Sequence, residues 1–198
     1  MKLTVLATGS TGNASIVTGK NETIAIDFGL SFSKWDKLIF KNKLKYPDHV
    51  FITHSHGDHM NISGLSRLSK KHPEIEVHTN RGIFETSEFK VICFLIPHNV
   101  ENHAVIVTEK ATGEKLVYVT DCSAMYDTLT ASRNLKYTEN ADIYALEANY
   151  DNGWLKHPEY LDQMAYRYDV LGNMTRHTSK QECIKTFSKL KKEDPRLI

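Results

Sequence analysis

Residues 51–60 read FITHSHGDHM and place three imidazoles and a carboxylate in six positions, His54, His56, Asp58 and His59. These are the side chains that bind borderline divalent ions, Zn²⁺ first, with Mn²⁺ or Fe next. HVFIT, just before, reads as a buried strand, so His54 opens the loop at its C-terminal end. Residues two apart in extended chain point the same way, so His54 and His56 can grip one ion. Gly57 is expected to let the backbone turn. Asp58 and His59 then face a second position as a helix begins.

Two ions need more donors than one loop supplies. Three further candidates fall just past predicted strands or before a predicted helix: His98 after KVICFLIP, Asp121 after LVYVT, and His177 in NMTRHTSKQE. His103, five residues beyond His98, competes with it but is expected to open the next strand. Cys122 is expected to pack rather than ligate. Glu147 ends an apolar strand and reads either as a general acid or as a buried, hydrogen-bonded carboxylate. His49, His72, His78 and His157 show no partner pattern and read as structural or surface residues.

The elements that must position these groups are short β-branched runs at 3–8, 15–18, 23–27, 49–53, 76–79, 90–96, 104–108, 116–120 and 143–148. Helical patterns lie at 31–40, 59–71, 123–130, 158–170 and 179–192, the last opened by Ser179 with Glu182 three residues on, a capping box. TGKNE and EKATGEK read as hairpin turns. The 198 residues suffice for one well-cored domain, taken as 1–198, of the α/β class. Lys+Arg 25 against Asp+Glu 24 leaves a net charge of +1, too little to coat duplex nucleic acid by bulk charge. Three cysteines without a C-x-x-C pair, and no apolar run of membrane-spanning length, lead us to expect a soluble, cytoplasmic protein.

The order H-x-H-x-D-H, then a histidine, an aspartate after a VT strand, and a late histidine resembles the metallo-β-lactamase superfamily over nearly the whole chain. IAIDFG (24–29) looks like that fold's early strand, whose aspartate, here Asp27, supports the metal loop. TGSTGNASIV (8–17) and LEANYD (146–151) resemble the YycJ-like (WalJ) branch, with Tyr150 where that branch has His and Arg176 where it has Gly. The resemblance implies a four-layer αβ/βα sandwich. It also implies two divalent ions, one on His54, His56 and His98, the other on Asp58, His59 and His177, with Asp121 bridging.

Such a pair, about 3.5–4 Å apart, lowers the pKa of a bridging water toward about 7 and clamps attacking and leaving oxygens. Asp58 could orient that water and take its proton, which makes Asp58 and Asp121 the catalytic carboxylates. The YycJ-like resemblance implies nuclease or phosphodiesterase chemistry by metal-bound hydroxide on DNA, RNA or cyclic nucleotides. The expected phosphate contacts are Ser10 and Asn13 of the Gly-rich loop, with Asn149 and Arg176. The segment 33–47 interleaves five lysines with Trp35, Phe40 and Tyr46 and reads first as an amphipathic surface helix and loop, second as a nucleic-acid edge. Only 55 residues separate Asp121 from His177, too few for a large inserted domain, which with the near-zero net charge points to a small or short substrate. A phage or mobile-element origin and a homodimer that completes the pocket are separate expectations. The ligand set equally admits a thioesterase or lactonase of the glyoxalase II type. A nucleotide-binding relative without chemistry is the alternative from another class.

Overall fold

In the computed structural model the described residues are 1–153 and 174–198, with the side chain of Leu197 left aside. The helical pattern expected at 158–170, and His157, lie outside them. Five strands form the first sheet, in the order β1 (Lys2–Ala7), β2 (Ala14–Thr18), β3 (Thr23–Ile26), β4 (His49–Phe51) and β5 (Glu76–His78). The β1–β2 and β2–β3 pairs are antiparallel, and β3–β4 and β4–β5 are parallel. The second sheet has the order β11-β10-β9-β8-β7-β6, from β6 (Gly82–Glu85), β7 (Phe89–Ile96), β8 (Asn102–Glu109), β9 (Lys115–Val119), β10 (Ile143–Leu146) and β11 (Arg196–Leu197). It too is mixed, antiparallel at β6–β7 and parallel where β10 meets β9 and β11. Helices α1 (Phe32–Lys41), α2 (Ile62–Lys71), α3 (Met125–Thr130), α4 (Ser132–Thr138) and α5 (Lys180–Leu190) flank the sheets. This is the expected α/β class.

The chain divides into two compact units, Met1–Cys93 with Thr108–Gly113, and Phe94–Val107 with Glu114–Ile198. In the first, α1 and α2 bury Trp35, Ile39, Leu65 and Leu68 with Ile16, Ala25, Phe28 and Val50. Apolar side chains at helical spacing do this work. Trp35 and Tyr46 from the Lys-rich stretch turn into this packing, Trp35 fully buried and Tyr46 stacked on His72 at 4.2 Å, while Phe40 is exposed. The segment 33–47 is thus an amphipathic helix to Lys41 followed by a loop. In the second unit, Tyr144 of β10 sits edge-on to Phe187 of α5, and its hydroxyl reaches the carbonyls of Thr138 and Leu190.

Ser179 caps α5 by accepting from the Glu182 amide at 3.1 Å. Glu182 does not close a box: its carboxylate accepts instead from the Tyr126 amide at the start of α3. No helix among the described residues is long and apolar enough to cross a membrane.

Candidate metal centre

In the first unit the loop after β4 is stitched to two neighbouring loops by backbone bonds. Asn13 donates to the Asp58 carbonyl (2.7 Å), Phe28 to that of His59 (2.8 Å), and Asn61 to that of Phe28 (2.8 Å). The approach is so close that a Cβ on Gly29 would lie 1.7 Å from the Asp58 carbonyl oxygen. Gly29 is thus the position where only glycine fits. Gly57 is not: the chain turns there as expected, with the His59 and Met60 amides donating to the His56 carbonyl (2.9 and 2.7 Å), but its backbone is outside the left-handed region and an added Cβ would meet nothing, so the turn does not demand glycine.

Beneath this loop lies Asp27, fully buried and with a left-handed backbone at φ 63°. Its Oδ1 accepts from the Thr53 amide and hydroxyl, both at 2.8 Å, and its Oδ2 from His59 Nδ1 at 2.7 Å. Because the Thr53 hydroxyl donates to Asp27, its oxygen accepts from His54 Nδ1 at 3.0 Å. Both imidazoles carry their proton on Nδ1 and present the Nε2 lone pair on the other side. His54 Nε2 converges with His56 Nδ1 at 3.1 Å. The two nitrogens thus come together on one side of the loop. Asp58 stands 31% exposed, its Oδ2 3.7 Å from His59 Nε2.

The second unit repeats the device. His177 Nδ1 donates to Glu147 Oε1 at 2.5 Å, and Glu147 Oε2 accepts from the amides of Cys122 (2.9 Å) and Thr178 (3.2 Å). Burial disfavours the His177 cation, but the bond and charge of Glu147, with the charge of Asp121, prevail and hold its pKa above the ordinary value. His98 Nδ1 donates to the Arg176 carbonyl at 3.1 Å, so its Nε2 faces Asp121, 3.8 Å from Oδ2. Asp121, Glu147 and His177 bring three donor atoms within 4.8 Å of one another. Asp121 also has a left-handed backbone, φ 53°, held by Asn102, whose amide donates to the carbonyls of Thr120 (2.9 Å) and Asp121 (2.8 Å).

His103 is a buried β8 residue paired with Glu101 at 3.3 Å. Cys122 is fully buried and burial pushes its thiol pKa up to about 12, which keeps it protonated. Asn13 is buried, with its amide on Gly9, Asp58 and, at 2.9 Å, His59 Nε2. Ser10 and Asn149 are exposed, and the Asn149 amide donates to the Thr178 carbonyl at 2.9 Å.

Sequence reasoning left the role of Glu147 open and did not single out Thr53 or Asn102. No local motif marks them, because each acts on a residue brought near by folding. Asn102 is fully buried, and its Oδ1 also accepts from the His103 amide. Asn102→Ala is expected to lower the unfolding free energy by about 2–3 kcal/mol, since two carbonyls and an amide lose their partner. Urea unfolding checks this.

Residues 7–98 match the model described as "Metallo-beta-lactamase superfamily". Two mixed sheets flanked by helices match the fold of that superfamily. Among curated proteins it is 24% identical to exodeoxyribonuclease WalJ of Streptococcus pneumoniae serotype 2, over 94% of this chain and 77% of that one. Exodeoxyribonuclease YycJ of Bacillus anthracis is 32% identical over 44% of this chain and 33% of its own length. Among solved structures, the short form of human tRNase Z superposes with a TM-score of 0.66 at 19% identity, covering all of this chain and 96% of the other. A diphosphatase from the PhnP family gives 0.66 at 14% identity, covering 98% and 84%.

Proposed function

We propose that the chain is a dinuclear metal-dependent phosphodiesterase or nuclease. The observation that carries this is the paired relay: a buried carboxylate fixes a histidine Nδ1 in each unit, Asp27 on His59 and Glu147 on His177. Carboxylate–histidine pairs of this kind set the tautomer and basicity of metal-bound imidazole. An all-His/Asp donor set fits Zn²⁺ first and Mn²⁺ second. His54, His56 and His98 would hold one ion, Asp58, His59 and His177 the other, and Asp121 both. A bound pair of divalent ions supplies an activated water and a clamp on phosphoryl oxygens.

This chain's residues supply the rest. Asp58, the one carboxylate of its loop and partly exposed, orients the attacking water and takes its proton. Arg176 offers a guanidinium fork to a phosphate, joined by Asn149 and by Ser10 of the exposed loop. Asn13 holds that loop against Asp58. The phosphodiester class is supported by the resemblance to WalJ over most of the chain. Three free cysteines, all buried, suit a reducing cytoplasm.

The test is purified protein reconstituted with Zn²⁺ or Mn²⁺ and offered single- and double-stranded DNA, RNA, cyclic mononucleotides, a thioester and a lactone. Hydrolysis of a phosphodiester is expected. Turnover of only the thioester or lactone would reassign the substrate, and no turnover by fully loaded protein would make it a binding protein.

A further inference from the structure

His49 opens β4 and lies five residues before His54, at the other end of the strand. In the parallel register of β4 and β5, His49 stands opposite Glu76 and Phe51 opposite His78. Alternation along both strands then puts His49, Glu76 and His78 on one face, with Val50 and Val77 on the other, against the α1–α2 core. The imidazoles and the carboxylate converge. His49 Nδ1 lies 3.2 Å from His78 Nε2 and 3.5 Å from Glu76 Oε2, and the last two are 3.7 Å apart.

These three distances have a specific meaning. Zinc bonds of about 2.0–2.2 Å in tetrahedral geometry separate the donor atoms by about 3.3–3.6 Å. The three atoms already form a near-regular face of such a tetrahedron.

The surroundings match. His49 Nε2 lies 3.4 Å from Glu22 Oε1, so its proton sits there and Nδ1 turns its lone pair toward the cluster. Glu22 is itself fixed: buried, it accepts from the Thr86 hydroxyl (2.6 Å) and the Glu88 amide (2.7 Å). These bonds outweigh burial and keep its pKa below the ordinary carboxylate value. His78 is held by stacking on Phe51 (4.5 Å) and contact with Phe84 (4.8 Å). The side chains of His49 and His78 are 17% and 18% exposed and that of Glu76 67%, which leaves one side open for entry and for a water as fourth ligand.

We propose that His49, His78 and Glu76 form a separate mononuclear site for Zn²⁺, outside the proposed hydrolytic centre. An ion there ties β5, the edge strand of its sheet, to β4.

The test is zinc content of the metal-loaded protein after exhaustive dialysis, read by elemental analysis. A His49→Gln/His78→Gln variant is expected to hold one zinc fewer per chain than wild type, with unchanged hydrolysis of whichever substrate wild type turns over. Conversely, His56→Ala with Asp121→Asn should retain this zinc. Glu76→Gln, an exposed change that leaves folding intact, should release it to a chelator at least tenfold faster. Equal zinc content in wild type and the double histidine variant, or chelator release from Glu76→Gln at the wild-type rate, overturns the proposal and leaves a hydrogen-bonded His–His–Glu cluster. Because the readout is zinc on residues that the proposed hydrolytic centre does not share, its failure is distinguishable from failure of the hydrolase reading.

Discussion

Asp121→Asn is expected to lower phosphodiester hydrolysis by about a thousandfold or more at saturating metal, the scale for losing a carboxylate that serves both ions. The substitution is chosen to spare the fold. Asn tolerates the left-handed backbone that Asp121 adopts at φ 53°, and the grip of Asn102 is on main-chain carbonyls that do not change. Oδ1 lies 3.0 Å from the Thr120 hydroxyl and 3.7 Å from His177 Nδ1, and Oδ2 lies 3.8 Å from His98 Nε2, so an amide can occupy the space. What disappears is a negative charge and one acceptor oxygen where two cations are proposed. The measurements are kcat with metal content determined on the same sample, and the thermal midpoint. A fully loaded Asp121→Asn enzyme turning over near the wild-type rate would remove Asp121 from the bridging role.

The fold class was legible because its strands are β-branched runs whose buried residues need no partner to be recognised: TIAI and HVF are such segments. The elements that escaped were those with no period of their own. GIFE (β6) sets two apolar residues side by side, Ile83 exposed and Phe84 half-buried, and is fixed by its antiparallel pairing to β7. The polar helix SRNLKYT begins directly after α3 without a side-chain cap. RL (β11) is two residues long and exists through its pairing with β10.

The same division runs through the candidate site. The cluster at His54–His59 declares itself because its chemistry is compressed into six residues. Glu147 grips His177 from 30 positions away and Asn102 grips Asp121 from 19, and only register and turns bring such pairs together. His49 and His78 were read as unpartnered for that reason. The chain turns at Gly57 as its residue type suggests, whereas the steric demand falls on Gly29, at a contact between separated loops.

Asp27→Ala is the expected largest loss of stability, about 3–5 kcal/mol by urea unfolding, the range for breaking a buried charged hydrogen-bond network. Three donors lose their acceptor together: the Thr53 amide, the Thr53 hydroxyl and His59 Nδ1. All three are fully buried or nearly so, hence water cannot replace the carboxylate without rearrangement. Alanine must also adopt φ 63°, a region that Asp tolerates better. Asp27→Asn separates the two effects. With its carbonyl toward Thr53 it keeps both Oδ1 bonds and the backbone, but sets an NH₂ against His59 Nδ1–H. The ring must then shift its proton to Nε2, the nitrogen proposed to bind metal. This variant is expected to stay within about 1–2 kcal/mol of wild type yet bind zinc about 10–100-fold more weakly, the cost typical of losing a metal-orienting carboxylate. Competition with a chromophoric chelator measures that affinity. If Asp27→Ala unfolds within about 1 kcal/mol of wild type, or Asp27→Asn binds zinc as wild type does, Asp27 supports neither the loop nor the imidazole.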